Sequence, residues 1–505
     1  MSQTQPNIIV ITTDQQRCDS LSCYGSTFTS TPHIDRLAAE GALLQRAYCA
    51  NPVCTPARAS IFSGQYLSRH EAWNVGMNVP EDTPLLSHRL ATLGYRTHYV
   101  GKAHFQAFGG GARSRESYEN WEEVFARWQG PYYGFETVEL SLGHTVGGMR
   151  GHYGLWLNTL TTDEERAEYA QVTRVGEGDR FGGEAYEWSL PSNRHSSTWT
   201  AEKSIQFLES HNPSQPFFLA IGFQDPHHAH CVPIDFADRV DSDQVPLPRY
   251  QAGELADKPP HFEIAHQGKL EDSPHRGAFP VAGQGAGADF GKISETEARN
   301  GRAYYYTMVK LIDQQMGRIL DCLKERGLAE NTLIVFTSDH GELLGDHGLW
   351  MKGPFHYEEL IRIPLIVRWP TGIRAGQSIQ SLCSHVDLAP TILAAIGASI
   401  ADEIEGLNAL PLLQAEKETI RDHVITECVD DPNHLRLKTI TTQNRKLTYY
   451  HGEDFGELYD LTTDPGEICN RWDDPEYRQD RNQLTARIVD HLERLERRAE
   501  RYSYA

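Results

Sequence analysis

Runs of apolar residues alternate along most of the chain with segments of helical periodicity. Continuous β-branched runs predict buried strands, because a strand covered on both faces needs no polar side. The predicted strands are residues 7–12 (NIIVIT), 96–101 (RTHYVG), 216–223 (PFFLAIGF), 332–337 and 363–369 (IPLIVRW). Helices are predicted from start signals such as Thr31-Pro32 and stop signals such as Gly41. They cover residues 31–41, 84–93, 197–211, 295–326 and 388–396.

This alternation predicts an α/β fold with a large, mostly parallel sheet sandwiched by helices. Residues 106–195 and 225–292 are rich in glycine, proline, aromatic and charged residues and lack clear periodicity. They are predicted as insertions in a domain of residues 1–415, either as binding loops or as simple spacers. From residue 416 onward, short strand signals precede a charged helix that starts near Pro475. A smaller C-terminal subdomain, an antiparallel sheet plus a helix, is therefore predicted over residues 416–505.

The composition is that of a folded protein with little affinity for polyanions. The chain has 505 residues, 39% of them hydrophobic, and Asp plus Glu (69) outnumber Lys plus Arg (47), which gives a net charge of −22. Because phosphate contacts need Lys and Arg, neither nucleic acid nor a membrane is expected as a partner. We expect no targeting segment and no membrane span. Nine cysteines, an odd number, indicate free thiols in a reducing compartment, so a cytoplasmic location is predicted.

Two polar pairs directly follow predicted buried strands. Asp14-Gln15 comes after the first strand, and Asp339-His340 comes after the strand at 332–337. Parallel sheets bind their ligands at the carboxyl ends of the strands, so both pairs are candidate ligand contacts. The simpler alternative for each aspartate is a helix cap.

Residues 54–64 carry the most specific motif of the chain. They read Cys-Thr-Pro-Ala-Arg-Ala-Ser-Ile-Phe-Ser-Gly, and Pro56 suits the first turn of a helix whose positive end would lie at Cys54. The stretch resembles the sulfatase signature, C-x-P-x-R followed by an apolar pair and a small residue before glycine. A buried cysteine before an ordinary helix is the alternative. The resemblance continues in the two strand-end pairs and in Gly101-Lys102-Ala103-His104, Asp225-Pro226-His227 and Trp350-Met351-Lys352-Gly353, so it spans nearly the whole chain.

The resemblance implies an alkaline phosphatase-like fold and two cofactors. Cys54 would be oxidised after translation to formylglycine (3-oxoalanine), and one divalent metal ion, Ca²⁺ or Mn²⁺, would be bound. The implied metal ligands are Asp14, Gln15, residue 54, Asp339 and His340. Many members have Asp and Asn where this chain has Gln15 and His340. An amide oxygen and an imidazole weaken the case for Ca²⁺ and admit Mn²⁺.

The resemblance also implies a role for each remaining site residue. Arg58 would steady the hydrated aldehyde, and Lys102 and Lys352 would hold the sulfuryl oxygens. His227, or alternatively Lys352, would protonate the leaving alcohol. His104 would take a proton from the second hydroxyl of the aldehyde hydrate, so that sulfate is released. The implied partners are a small-molecule sulfate ester and the machinery that generates formylglycine.

Three questions stay open from the sequence. The Asp-Gln and Asp-His pairs are similar to those of choline-sulfatase-like and phosphonate monoester hydrolase-like members, so hydrolysis of phosphonate monoesters or phosphodiesters is an alternative to sulfate ester hydrolysis. A non-catalytic binding protein with an unconverted Cys54 is a second alternative. Aromatic residues of the first insertion allow an aromatic, sugar or quaternary ammonium alcohol, or else a homo-oligomer interface. They are Tyr118, Trp121, Trp128, Tyr132 and Tyr133.

Overall fold

A computed structural model describes residues 5–119, 121–176, 183–268, 290–429 and 435–495. Its strands are β1 (Asn7–Thr13), β2 (Ala42–Tyr48), β3 (Arg96–Gly101), β4 (Thr137–Leu142), β5 (Val172–Arg174), β6 (Ala185–Trp188), β7 (Phe217–Gly222), β8 (His230–Pro233), β9 (Thr332–Ser338), β10 (Arg362–Ile363), β11 (Leu365–Arg368), β12 (Gln377–Ser384), β13 (His423–Val429), β14 (Arg436–Thr442), β15 (Arg445–Tyr450) and β16 (Gly456–Asp460). Its helices are α1 (Pro32–Ala39), α2 (Cys54–Ser63), α3 (Leu67–His70), α4 (Leu86–Thr92), α5 (Trp121–Val124), α6 (Gly151–Leu160), α7 (Asp163–Tyr169), α8 (Ser196–Glu209), α9 (Pro260–Gln267), α10 (Glu295–Glu325), α11 (Glu358–Ile361), α12 (Leu388–Ala395), α13 (Leu410–Leu413) and α14 (Arg478–Leu495).

The main sheet has nine strands in the order β10-β2-β11-β9-β1-β7-β3-β4, with β12 paired to the far side of β2. The central strands β9, β1, β7, β3 and β4 all run parallel, whereas β11 and β10 are antiparallel to their neighbours. The predicted mostly parallel α/β sheet is therefore confirmed.

Strand β1 lies at the centre of this sheet, and all seven of its residues are buried. A sheet that is buried on both faces needs helices on each side. Contacts between the helices define two groups, α1, α8 and α10 in one and α2, α4 and α12 in the other. The register places Thr12 opposite Gly222 of β7 and Thr13 opposite Ser338 of β9. These three strands therefore end at the same level, and the residues after them share one edge.

The C-terminal part forms the predicted smaller antiparallel sheet plus helix. Its strands pair in the order β13-β14-β15-β16, and α14 packs against them through Leu484 and Ile488. Glu427 of β13 donates its backbone N–H to the carbonyl of Ala50 at 2.8 Å, which connects this sheet to the segment before α2. The boundary near residue 416 stays a prediction.

Three strands of the main sheet, β2, β12 and β4, were not predicted from the sequence. Strand β4 lies inside residues 106–195, the stretch predicted as an irregular insertion, and it forms the edge next to β3. The same stretch and the second insertion also build a separate sheet in the order β5-β6-β8. Residues 177–182 and 269–289 of the two predicted insertions lie outside the described residues. In the part of the chain that is described, no helix is both long and apolar enough to cross a membrane.

Candidate active site

The candidate active site lies at the carboxyl edge of the main sheet. Strands β9, β1, β7 and β3 are parallel neighbours there, so the residues that follow them converge. These residues are Asp339 after β9, Asp14 after β1, the segment Asp225–His227 after β7, and Lys102 after β3. The side chains named here are all buried.

Helix α2 brings Cys54 to this edge. It begins at Cys54, and every one of its ten residues is buried. It ends at Gly64, whose φ of 71° favours glycine, and a Cβ there would lie 2.9 Å from a methyl group of Ile404. The N-terminal end of a buried helix favours a negative charge, so the position of Cys54 suits an anionic nucleophile or substrate.

Arg58, one turn further along α2, joins the two strand-end aspartates. Its Nε donates to Asp339 Oδ2 at 2.9 Å, and its Nη2 lies 3.6 Å from Asp14 Oδ2. Its Nη1 donates to the backbone carbonyl of Lys102 at 2.8 Å. A fully buried guanidinium with these partners fixes three strand ends relative to the helix.

The charges of the site keep Asp14 ionised. Burial alone would raise its pKa, but the cations of Lys102 and Arg58, with His144 close by, outweigh burial and hold the pKa of Asp14 well below its usual range. The Lys102 ammonium contacts the Asp14 carboxylate directly. Asp14 therefore stays an anionic ligand at any pH near neutral.

Four predicted metal ligands converge. One donor atom from each of Asp14, Cys54, Asp339 and His340 lies within 4.8 Å of the others, and all four residues are buried. His340 Nδ1 donates to the carbonyl of Gly341 at 2.9 Å, so the lone pair of Nε2 faces Cys54 Sγ at 3.3 Å. That tautomer is the one a metal-ligating histidine needs.

A cation is favoured at the centre of these donors. The ammonium nitrogen of Lys352 lies 3.0 Å from Gln15 Oε1, 3.0 Å from Cys54 Sγ and 3.4 Å from His340 Nε2. Burial would lower the pKa of Lys352, but the nearby carboxylates of Asp14 and Asp339 favour the charged ammonium and raise it. Two carboxylates, an amide oxygen and an imidazole around one positive charge fit a divalent ion such as Mn²⁺ or Ca²⁺.

The structure explains why position 15 is glutamine. The Gln15 Nε2 group donates to the carboxylate of Glu342 and lies 3.0 Å from His228 Nδ1, while its Oε1 faces the site. A carboxylate at position 15 would have no hydrogen to donate and would face the charge of Glu342. Glu342 in turn accepts from the backbone N–H of Leu344 at 3.0 Å.

Two predicted histidines border the site as neutral bases. Burial lowers the pKa of both His104 and His227 well below the ordinary value, and Lys102 lowers that of His104 further. His227 Nδ1 donates to the carbonyl of His228, so its Nε2 accepts from Lys352 Nζ at 3.2 Å. The proton that this pair can supply is therefore carried by Lys352.

His144 is a site residue that the sequence analysis did not identify. It follows β4, its Nε2 lies 3.0 Å from Lys102 Nζ, and its ring stacks on His227 with centroids 3.5 Å apart. Its position two residues after a strand end, in the segment Ser-Leu-Gly-His, could have indicated a site residue. The strand itself was not predicted, because it lies inside the stretch predicted as an irregular insertion. Two further histidines follow His227 closely in the chain: His228 borders Gln15, whereas His230 is buried in β8 against Tyr305.

The strand-end residues, Cys54 and the two lysines thus lie together at one edge of the sheet. Comparisons with known proteins extend over nearly the whole chain. A sequence model described as Sulfatase matches residues 6–398, and one described as N-sulphoglucosamine sulphohydrolase, C-terminal, matches residues 345–494. An arylsulfatase of Clostridium perfringens is 28% identical, over 97% of this chain and 95% of its own. The multifunctional alkaline phosphatase superfamily protein PehA of Trinickia caryophylli is also 28% identical, over 94% of this chain and 92% of its own.

Solved structures share the fold. The phosphonate monoester hydrolase of Agrobacterium radiobacter superposes with a TM-score of 0.80, covering 97% of this chain and 96% of its own at 23% identity. At that identity the likeness supports the fold alone. It agrees with the expected alkaline phosphatase-like architecture.

Proposed function

The chain belongs to the sulfatase family and is a sulfuric ester hydrolase, and we propose that it cleaves sulfate monoesters to an alcohol and inorganic sulfate with a formylglycine at position 54 and one divalent metal ion. The observation that supports this most is the convergence of Cys54 with Asp14, Asp339 and His340 at the start of a buried helix.

The metal ion would be held by Asp14, Gln15, Asp339, His340 and residue 54. When bound, it would supply positive charge to the sulfuryl oxygens and favour ionisation of the nucleophile. Arg58 keeps Asp14 and Asp339 in place by contacting both carboxylates. Whether the ion is Ca²⁺ or Mn²⁺ is decided by the balance between carboxylate and imidazole ligands.

Oxidation of Cys54 is supported by the state of its thiol. Burial raises the pKa of Cys54, and the carboxylate of Asp14 raises it further. An unmodified Cys54 is therefore held as a neutral thiol, which is a weaker nucleophile than a thiolate. A formylglycine hydrate would instead supply one hydroxyl for attack on sulfur and a second whose deprotonation allows sulfate to leave.

Two lysines supply fixed positive charge on the substrate side of residue 54. Lys102 contacts Asp14 and His144, and Lys352 lies 3.0 Å from Cys54 Sγ. A sulfate ester carries one delocalised negative charge, and displacement at sulfur moves charge onto the leaving oxygen. Preorganised cations in a buried site stabilise that change more than they would in water. We therefore assign Lys102 and Lys352 to the sulfuryl oxygens.

Proton transfer is divided between two groups of residues. The Lys352–His227 pair, joined at 3.2 Å, is assigned to protonation of the leaving alcohol. His104, a neutral base, is assigned to the step that releases sulfate. His144 contacts both Lys102, which is assigned to the sulfuryl oxygens, and His227, which is assigned to protonation of the alcohol. It therefore helps to position both residues.

The first prediction concerns the substrate. With 4-nitrophenyl sulfate and 4-nitrophenyl phenylphosphonate, which share a leaving group, we expect kcat/KM to be at least tenfold higher for the sulfate. This expectation rests on the resemblance of Gly101-Lys102-Ala103-His104 to the sulfatase element whose lysine and histidine contact the sulfuryl group and the formylglycine. A reversed preference under the same metal conditions would favour the phosphonate monoester alternative, which the Asp14-Gln15 and Asp339-His340 pairs also allow. No turnover of either ester by metal-loaded protein with confirmed formylglycine would favour a binding protein.

The second prediction separates the proton-transfer residues. His227→Ala, which breaks the Lys352–His227 pair, is expected to lower kcat/KM for esters of poorly acidic alcohols by about 10²–10⁴-fold, the usual contribution of general acid catalysis. Nitrophenyl sulfate, whose phenolate leaves without protonation, should be affected far less. Lys352→Ala should show the same leaving-group dependence, combined with a general loss because a sulfuryl contact is also removed.

His104→Ala should fail at the other half of the reaction. One equivalent of alcohol is expected in a rapid burst, followed by arrest, because the group that promotes sulfate release is missing. Rapid-quench measurement of nitrophenol and mass spectrometry for retained sulfate test this. A variant without a burst and without retained sulfate would show that His104 has another role.

The cellular location also belongs to this proposal. None of the nine cysteines, all of which lie within the described residues, forms a disulfide. We propose a reducing compartment, the cytoplasm, and a substrate that is a small soluble sulfate ester.

A further inference from the structure

A buried carboxylate lies directly beneath the segment that carries His104. Glu116 Oε2 accepts the backbone N–H of His104 at 2.8 Å. Its Oε1 accepts the N–H of Phe105 at 2.8 Å and that of Gln106 at 3.1 Å. The hydroxyl of Tyr132 donates to the same Oε1 at 2.5 Å, and Glu116 is 0% exposed. One side chain thus binds three consecutive backbone amides.

His104 needs such support because of its own backbone. Its φ is 53°, in the left-handed region that a residue with a Cβ rarely adopts. A conformation of this kind persists only where the surroundings fix it. The His104 ring stacks on Phe108 at 4.0 Å, but its Nδ1 has no hydrogen-bond partner among the described residues. The position of the ring is therefore determined mainly by the backbone that Glu116 holds.

The chemistry of the contact requires a carboxylate. All four neighbouring groups are hydrogen-bond donors, and an ionised carboxylate is the side chain that only accepts. A glutamine would have to turn its NH₂ group toward at least one N–H. Within the described ranges no lysine or arginine forms an ion pair with Glu116, so its charge is balanced by neutral donors alone. Burying a charge costs free energy, and the backbone that this buried charge binds is the segment of His104.

We propose that Glu116 is a positioning residue for His104, which sets the imidazole at the distance from residue 54 that sulfate release requires. The inference rests on the proposed function, because it assigns to Glu116 an effect exerted only through His104. It also gives the first predicted insertion a catalytic purpose: Glu116 and Tyr132 both lie within residues 106–195.

The test uses Glu116→Gln, Glu116→Asp and a matched control. Glu116→Gln should lower kcat by about 100-fold, as expected for displacement of a catalytic group by roughly 1 Å. The loss should be the same for nitrophenyl and alkyl sulfates, KM should not rise, and a burst of alcohol should appear. Glu116→Asp keeps an acceptor-only side chain and should recover part of kcat. Asp313→Asn is the control, since Asp313 is a buried carboxylate that accepts the backbone N–H groups of His33 and Ile34 outside the site.

A double-mutant cycle distinguishes positioning from general destabilisation. Because Glu116 acts through His104, the variant His104→Ala/Glu116→Gln should be no slower than His104→Ala alone. Asp313→Asn should reduce the thermal midpoint but should produce no burst of alcohol. Its effect on kcat should be additive with that of His104→Ala. If Glu116→Gln does not fold, Tyr132→Phe removes one donor to the same carboxylate and should give a smaller loss of kcat with the same non-additivity.

The outcomes are distinct. Additive losses for Glu116→Gln and His104→Ala, or a wild-type kcat in Glu116→Gln, would overturn the positioning role while leaving the proposed function intact. A wild-type rate in His104→Ala would overturn both the role assigned to His104 and the inference about Glu116. Non-additive losses together with a burst in both single variants support the proposal.

Discussion

Replacement of Cys54 by alanine is expected to lower kcat by on the order of 10⁶-fold, the scale of loss when the nucleophile of a covalent mechanism is removed. Lys102, Lys352 and the other four metal ligands would remain in Cys54→Ala, so substrate binding should persist while turnover stops. The side chain is buried at the start of α2, and its truncation removes a single sulfur atom. The thermal midpoint should therefore change little compared with the loss of activity.

Cys49 provides a matched control for this variant. It is also a buried free cysteine, and it lies on the same tryptic peptide, residues 47–58, but its thiol is not among the metal-site donors. Cys49→Ala should keep substantial activity and lose at most the stability of a small core truncation. The contrast between the two variants separates the chemistry of residue 54 from the packing of a buried cysteine.

The same peptide also reports the oxidation. An active preparation is unfolded and then alkylated. One labelled thiol is expected on residues 47–58, because Cys49 reacts and a converted residue 54 does not. Activity across preparations should scale with the singly labelled fraction. Two labelled thiols in a fully active preparation would contradict the formylglycine proposal.

Removal of the metal ion is the second change expected to abolish turnover. Chelation should bring kcat to the limit of detection, and Mn²⁺ or Ca²⁺ should restore it, because two buried carboxylates and a developing anion are otherwise left with too little positive charge. Binding should also stabilise the folded state, by about 2.7 kcal/mol when the ion is present at 100 times its dissociation constant. The thermal midpoint should fall accordingly on chelation.

Asp339→Asn tests the donor set directly. Asp339 lies within 4.8 Å of the other donors, and its loss should leave the purified protein with substoichiometric metal by elemental analysis. Asp387→Asn is the control, because Asp387 is a buried carboxylate that accepts the backbone N–H groups of Ser384 and Leu407 and lies outside the donor set. It should retain one ion per chain. Normal turnover by protein shown to be metal-free would refute the mechanism.

The two predictions are connected through Arg58. This residue contacts both Asp14 and Asp339 and lies on the helix that begins at Cys54. Any change that moves α2 would therefore disturb the nucleophile and the metal ligands together. For this reason the metal content of Cys54→Ala protein should be measured. It should stay close to that of the unsubstituted chain, because only one of the five ligands is lost.

The sequence alone determined the central elements and the residues attached to them. Strands β1, β7 and β9 are buried on both faces, so their uninterrupted apolar runs are visible without any knowledge of their neighbours. Helix α10, which is 31 residues long, has a capping box at Ser294 and strong amphipathicity. The residues at the strand ends and the C-x-P-x-R motif were identified for the same reason: each is a short local pattern.

Tertiary structure alone decided how the edges of the sheet and the support of the site are built. Strand β4 is an edge strand, exposed at Thr137 and half-buried at Glu139, and its pairing with β3 depends on a partner about 40 residues away in sequence. His144 and Glu116 are brought in through that pairing and through the fold of the insertion. The only local mark is the strand end two residues before His144, and Glu116 has none. The contacts that fix the charges, such as Arg58 with Asp339 across 281 residues, are long-range. Sequence patterns report local periodicity and motifs, whereas pKa values, tautomers and the support of His104 depend on which buried groups the folded chain brings together.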